Sequence, residues 1–117
     1  MRLLIIDDNT EITDMLKQFL EISDFEVVVV NNGKDGMGLI QNENFDKIVL
    51  DLAMPGFSGH DVIENLKMQN FTDFHKIIVL SASTMEQDVL DSFSTCGIKT
   101  ILEKPVKMTE LIEKLQK

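Results

Sequence analysis

Five short apolar runs punctuate the chain: LLII (3–6), VVVV (27–30), IVL (48–50), IIVL (77–80) and TIL (100–102). Rich in branched aliphatics and bounded by polar residues, they predict buried strands. Between them, apolar residues recur at helical spacing: Ile12, Met15, Leu16, Phe19 and Leu20, then Val62, Ile63 and Leu66, then Val89, Leu90 and Phe93, and finally Leu111, Ile112 and Leu115. Residues 34–42 carry the weakest helical pattern, because Gly36 and Gly38 each cost about 1 kcal/mol relative to Ala. Met37 and Ile40 still leave that segment an apolar side.

Strands that are apolar throughout, rather than alternating, imply burial on both faces. Their strict alternation with helices predicts a parallel sheet covered on either side. Five strand–helix units fill residues 1–117, and no Ser/Gly-rich linker, charge block or repeat interrupts them. The longest connection, QNFTDFH at 69–75, reads as an ordinary loop. One α/β domain is expected.

Composition narrows the partners. Twenty acidic residues against eleven basic ones give a net charge of −9, which argues against direct contact with nucleic-acid phosphates or a membrane surface and favours cations. Cys96 is alone, so it forms no intrachain disulfide, and MRLLIIDDN is too short an apolar start for a signal peptide or spanning helix. A cytoplasmic location is expected. With no Trp or Tyr, the seven Phe and seven Met are expected to fill the core.

Open parallel sheets bind their ligands beyond the carboxyl ends of the strands, near the point where strand order reverses. The first run ends in Asp7 and Asp8, the third in Asp51 and the fourth in Ser81, while the fifth leads to Lys104 and Pro105. The second ends in Asn31 and Asn32, which add no charge or hydroxyl. If the other four strands are neighbours, three carboxylates, a hydroxyl and an ammonium share one small volume. Carboxylates about 4 Å apart repel by roughly 4 kcal/mol at an effective dielectric of 20, so the cluster calls for a hard cation such as Mg²⁺. A carboxylate beside a cation and an ammonium is a potential nucleophile toward phosphorus.

Taken singly, each residue has a plain structural explanation. Asp7 and Asp8 could cap the following helix, Asp51 could order the turn at Pro55 and Gly56, Ser81 could be structural, and Lys104 could be a solvated charge. Their joint placement at successive strand ends is what favours a site. Elsewhere, His60, His75 and Cys96 are too scattered for a zinc pattern and are expected at exposed positions or unassigned. GKDGMG at 33–38 lacks the dinucleotide-loop spacing, and Met54, Met68, Met85 and Met108 read as packing rather than metal ligands.

Together, IIDDN, VLDLAMPGFSG, IVLSAS and ILEKP, in this order over nearly the whole chain, resemble the receiver domain of two-component response regulators. That resemblance implies a flavodoxin-like doubly wound five-stranded parallel sheet of order 2-1-3-4-5 with helices on both faces. It implies that Asp51 is a phosphoacceptor that takes the phosphoryl group from a phosphohistidine of a sensor histidine kinase or phosphotransfer protein. Asp8, Asp51 and the main-chain carbonyl of Ala53 would hold Mg²⁺ or Mn²⁺, with Asp7 acting mostly through metal-bound water. Ser81 would turn its hydroxyl to the phosphoryl oxygens, Lys104 would pair first with Asp51 and then with the phosphoryl group, and the Lys104–Pro105 bond would be cis. Such a domain is a switch, not an enzyme with a metabolic substrate, and catalyses only its own phosphorylation and dephosphorylation. If the chain is complete, a stand-alone receiver of the chemotaxis type is expected, working by contact with an output protein or by passing its phosphoryl group on; if it is part of a longer protein, a DNA-binding or catalytic domain is expected to follow.

Departures from that pattern bear on mechanism. Ile101 stands where the family usually has Tyr or Phe, so Ser81 and Ile101 form an altered switch pair. Ala53 and Ser83 would flank the path of the hydrolytic water, and Val106 replaces a frequent Phe. Competing functions are an aspartyl-nucleophile phosphatase, whose D-x-D pattern fails at Ala53, and flavin binding, which Asp7 and Asp8 oppose by repelling the flavin's phosphate. A non-phosphorylated scaffold is the remaining alternative, favoured only by Ile101.

Overall fold

The computed structural model describes residues 1–82 and 84–116. In chain order it places β1 at Arg2–Ile6, α1 at Thr10–Ile22, β2 at Glu26–Val30, α2 at Gly33–Asn42, β3 at Lys47–Asp51 and α3 at Gly59–Met68. A 3₁₀ turn at Phe74–Lys76 ends the long connection, followed by β4 at Ile77–Ser81, α4 at Gln87–Cys96, β5 at Thr100–Glu103 and α5 at Met108–Leu115. The five strands form one parallel sheet of order β2-β1-β3-β4-β5, the flavodoxin-like order expected. From β1 the chain steps outward to β2, then returns across β1 to β3. The reversal therefore falls between β1 and β3, whose carboxyl ends carry Asp7, Asp8 and Asp51.

Strand side chains divide alternately between two cores, which is why the runs are apolar throughout. Leu4, Ile6, Ile48, Leu50, Ile77 and Val79 pack on one face with Ile40, Val62, Ile63, Leu66 and Phe93 of α2, α3 and α4. Leu3, Ile5, Val49, Ile78 and Leu80 pack on the other with Leu16, Leu20, Leu111 and Leu115 of α1 and α5. Every strand–helix unit foreseen in the sequence is present, including the weak α2. Its Gly36 has a packing reason: a Cβ there would come within 2.8 Å of Ile6 Cγ1, so the helix lies on β1 only without one. Asn32 caps that helix, accepting a 2.8 Å hydrogen bond from the Asp35 N–H.

The expectation that Phe and Met fill the core needs correction. Phe25, Phe45, Phe74, Phe93 and Met54 are buried, but Met1, Met15, Phe19 and Met68 are exposed. On α1 the apolar arc is wider than the strip that touches the sheet: Leu16 and Leu20 face inward while Met15, Phe19 and Ile22 face outward. Met68 is the last residue of α3 and projects past the core.

Candidate functional site

Strand ends bring Asp7, Asp8 and Asp51 together: one carboxylate oxygen from each lies within 4.8 Å of the others, with Asp7 and Asp51 buried and Asp8 exposed. Burial of two acids at the tip of an apolar sheet follows from register, since Asp51 is still a rung of β3, opposite Leu80, and Asp7 directly continues β1. Lys104 reaches the pair from beyond β5. Its Nζ donates to Asp7 Oδ2 at 3.0 Å and stands 3.1 Å from Asp51 Oδ1. The second contact is ionic without being directional, because Asp51 Oδ1 is buried and accepts no hydrogen bond from any donor among the described residues. Asp7 is better satisfied, since its other oxygen accepts from the Asn9 N–H at 3.0 Å.

Burial, and next the Asp7 charge, push the Asp51 carboxyl above its ordinary value, against the pull of Lys104 and the Ala53 backbone. Burial alone would lower the Lys104 ammonium, but its hydrogen bond to Asp7 and the charges of Asp7 and Asp51 outweigh it and leave Lys104 raised. The acid is thus costly to ionise and the ammonium costly to deprotonate.

Three local structures fix these side chains. The turn after Asp51 closes on itself, Gly59 N–H donating to Leu52 O at 3.1 Å. There α3 starts directly against β3: a Cβ on Gly59 would come within 2.7 Å of Leu52 Cα and would also strike the Asp51 carbonyl oxygen. Ser58 and Asp61 form a reciprocal capping box that sets the helix start, with Ser58 N–H to Asp61 Oδ2 at 2.9 Å and Asp61 N–H to Ser58 Oγ at 3.2 Å. On the far side, Lys104 N–H donates to Ser81 O at 2.8 Å, and the Lys104–Pro105 peptide is cis.

The structure thus gathers Asp7, Asp8, Asp51 and Lys104 within bonding range. Ser81 is buried at the end of β4, beside the β3 strand that carries Asp51, and Ala53 lies two residues past Asp51 in an exposed turn. Ile101, paired in register with Val79, is half-buried against the core on the α3–α4 face. Ser83 lies outside the described residues. Val106 is half-buried against the opposite core, edging an apolar groove of about 410 Å³ between α1 and α5 that Lys104 and Pro105 also line. His60 and His75 are exposed, His60 lying over the Phe93 ring, and Cys96 is a free, half-buried thiol. Missed in the sequence was Asn31, whose side-chain amide donates to Asp7 O at 2.8 Å and to Thr13 Oγ1 at 3.2 Å. An uncharged residue at a strand end gives no signal of that reach.

The sequence profile of the response regulator receiver domain matches residues 3–116. The chain belongs to that family. It is 32% identical over 110 residues to the response regulator SaeR of Staphylococcus aureus, covering 94% of this chain and 46% of that relative. This receiver domain therefore spans about half the length of the curated relatives it matches. Among solved structures it is similar to the chemotaxis protein CheY4 of Vibrio cholerae, at 26% identity and a TM-score of 0.84 over 98% of this chain and 95% of that one. It is also similar to the response regulator TrrA of Thermotoga maritima, solved in complex with Mg²⁺–BeF, at 29% identity and a TM-score of 0.80 over 98% and 96%. The chain is accordingly a receiver domain of a two-component response regulator, a signalling switch rather than a metabolic enzyme. Among the described residues no helix is long and apolar enough to cross a membrane.

Proposed function

We propose that this receiver domain is switched by phosphorylation of Asp51, the phosphoryl group coming from a phosphohistidine on a sensor histidine kinase or a phosphotransfer protein in the cytoplasm. The observation that carries the proposal is Asp51 Oδ1: buried, without a hydrogen-bond donor among the described residues, and flanked by two further carboxylates and an ammonium. In the transfer, a carboxylate oxygen of Asp51 forms a bond to phosphorus as the phosphorus–nitrogen bond to the donor imidazole breaks, and the imidazole leaves with the bonding pair.

The donor set is all oxygen and doubly or triply acidic, which fits Mg²⁺ or Mn²⁺. Asp8, Asp51 and the Ala53 main-chain carbonyl would hold the ion; Asp7, whose oxygens already accept from Asn9 and Lys104, would contribute through water. When bound, the cation supplies positive charge against the carboxylates and the incoming phosphoryl oxygens. Lys104 supplies a second positive charge on the same side and exchanges its carboxylate contact at Asp51 for a phosphoryl oxygen. The Ser81 hydroxyl, anchored at the end of β4, donates to another oxygen of the group. That shift of Ser81 passes to the β4–α4 connection, where Ile101 offers an aliphatic surface to the α4 side instead of a swinging ring, and an output protein reads the change.

A direct test is treatment with Mg²⁺ and a small acyl phosphate, followed by intact mass. One added phosphoryl group in the wild type and none in Asp51→Ala is expected. An unmodified wild type, or a modified Asp51→Ala, would overturn the reading.

A further inference from the structure

We infer that Asn31 is a positioning residue for the cation pocket: by holding the carbonyl of Asp7 and the buried hydroxyl of Thr13 with one amide nitrogen, it fixes where the carboxylates of Asp7 and Asp8 stand. The inference rests on the reading of that pocket as a divalent-cation site. The connection from β1 to α1 is only three residues long, Asp7 to Asn9, and two of them carry charges that repel each other and Asp51. Such a loop relaxes outward unless its backbone is held. Asp7 is fully buried, so its carbonyl needs a donor. Its own N–H reaches Val30 O only at 3.3 Å, whereas the Asn31 amide reaches its carbonyl at 2.8 Å.

The orientation of the Asn31 side chain follows from its partner. A main-chain carbonyl can only accept, so the group facing Asp7 O is the NH₂ and not the amide oxygen. The same nitrogen donates to Thr13 Oγ1 at 3.2 Å, and that hydroxyl donates onward to Thr10 O at 3.2 Å. One side chain just past the edge strand β2 therefore ties the end of β1 to the first turn of α1, on both sides of the acidic loop. A neutral donor suits this place: an acid would add a fourth negative charge to the pocket, and a base would compete with the cation.

The test compares wild type, Asn31→Ala and Phe45→Leu, the last a buried residue at the opposite end of the sheet that serves as a control for general destabilisation. Mg²⁺ dissociation constants are measured by NMR titration, amide exchange is followed at residues 7–9, and phosphorylation by acyl phosphate is timed at saturating Mg²⁺. Asn31→Ala is expected to weaken Mg²⁺ about tenfold and to speed exchange at 7–9. Its phosphorylation rate at saturating Mg²⁺ should stay within about twofold of wild type, the pattern of a lost ground-state interaction. Phe45→Leu should lower the melting temperature and leave Mg²⁺ affinity alone. An Asn31→Ala affinity within about twofold of wild type, or an equal loss in Phe45→Leu, overturns the inference. Absence of saturable Mg²⁺ binding in the wild type instead overturns the cation reading itself, so the two failures are told apart by which protein shows them.

Discussion

Lys104 is closer to belonging to Asp7 than to Asp51: it makes a directed 3.0 Å hydrogen bond to Asp7 Oδ2 and only an undirected 3.1 Å approach to Asp51 Oδ1. The ammonium therefore offsets one of the three carboxylate charges of the pocket while leaving Asp51 Oδ1 without a directed bond. Lys104→Met removes the charge and keeps most of the apolar stem. Without divalent cation it should destabilise the fold by about 2 kcal/mol, less than a fully buried pair because Lys104 is partly exposed. The variant should bind Mg²⁺ about tenfold more tightly, since one competing positive charge is gone. Phosphorylation should nevertheless slow about a hundredfold. Urea unfolding in chelator, Mg²⁺ titration and acyl-phosphate kinetics check the three arms.

Asp51 gives a pH dependence with a definite sign. Burial first and Asp7 second raise its carboxyl in the folded chain. The folded state then holds that proton more tightly than the unfolded one. The resulting stability is complete below the unfolded value of about 4 and is lost as pH rises through the folded value. Asparagine carries no such proton. In chelator at pH 7.5, Asp51→Asn should unfold at a higher urea midpoint than wild type, and the gap should narrow toward pH 4. A gap that stays constant with pH would remove the electrostatic explanation.

Gly59 sets the distance between α3 and the strand that carries Asp51. Adding a methyl group there brings it within 2.7 Å of Leu52 Cα, a backbone atom that cannot swing away. Gly59→Ala should cost about 2 kcal/mol and shift the amide resonances of residues 51–53. An unperturbed spectrum with full stability would show that α3 can retreat freely.

Ile101 offers a test of whether chemistry and transmission are separable. It is half-buried on the α4 side, packed against the apolar core. Ile101→Ala should destabilise by about 1 kcal/mol and leave the phosphorylation rate within about twofold of wild type. A large loss of phosphorylation would place this residue in the reaction itself.

Phosphorylation and metal should also appear as stability. Mg²⁺ at ten times its dissociation constant should stabilise the wild type by about 1.4 kcal/mol, and chelator should reverse this. Asp8→Ala should lose most of that gain at the same Mg²⁺ concentration, as read by thermal unfolding.

Much of this architecture is visible in the sequence because the constraints on it are local. Strand runs such as IIVL are apolar on both faces, so they announce a sheet buried on both sides, and IIDDN and VLDLAMPGFSG place acids directly after such runs. Partner choice across the sheet is not local. Asp7 and Lys104 are 97 residues apart, and the exchange between them depends on strand order, which the resemblance supplied and spacing did not. Asn31 escaped notice for the same reason: its role depends on β2 lying beside β1. The outward turn of Met15 and Phe19 was hidden because helical spacing marks an apolar arc without showing how much of it the sheet covers.

The bond from Lys104 N–H to Ser81 O makes the ammonium and the hydroxyl two ends of one rung. A pull on either reaches the other through one hydrogen bond between two peptide groups, so an isotope label at the Lys104 amide reports on Ser81 as well. The same rung limits how the gene can change. Because side chains alternate along a strand, losing one residue from TILE would turn Lys104 to the opposite face of the sheet, whereas a residue added to the QNFTDFH connection would leave every member of the pocket in its place.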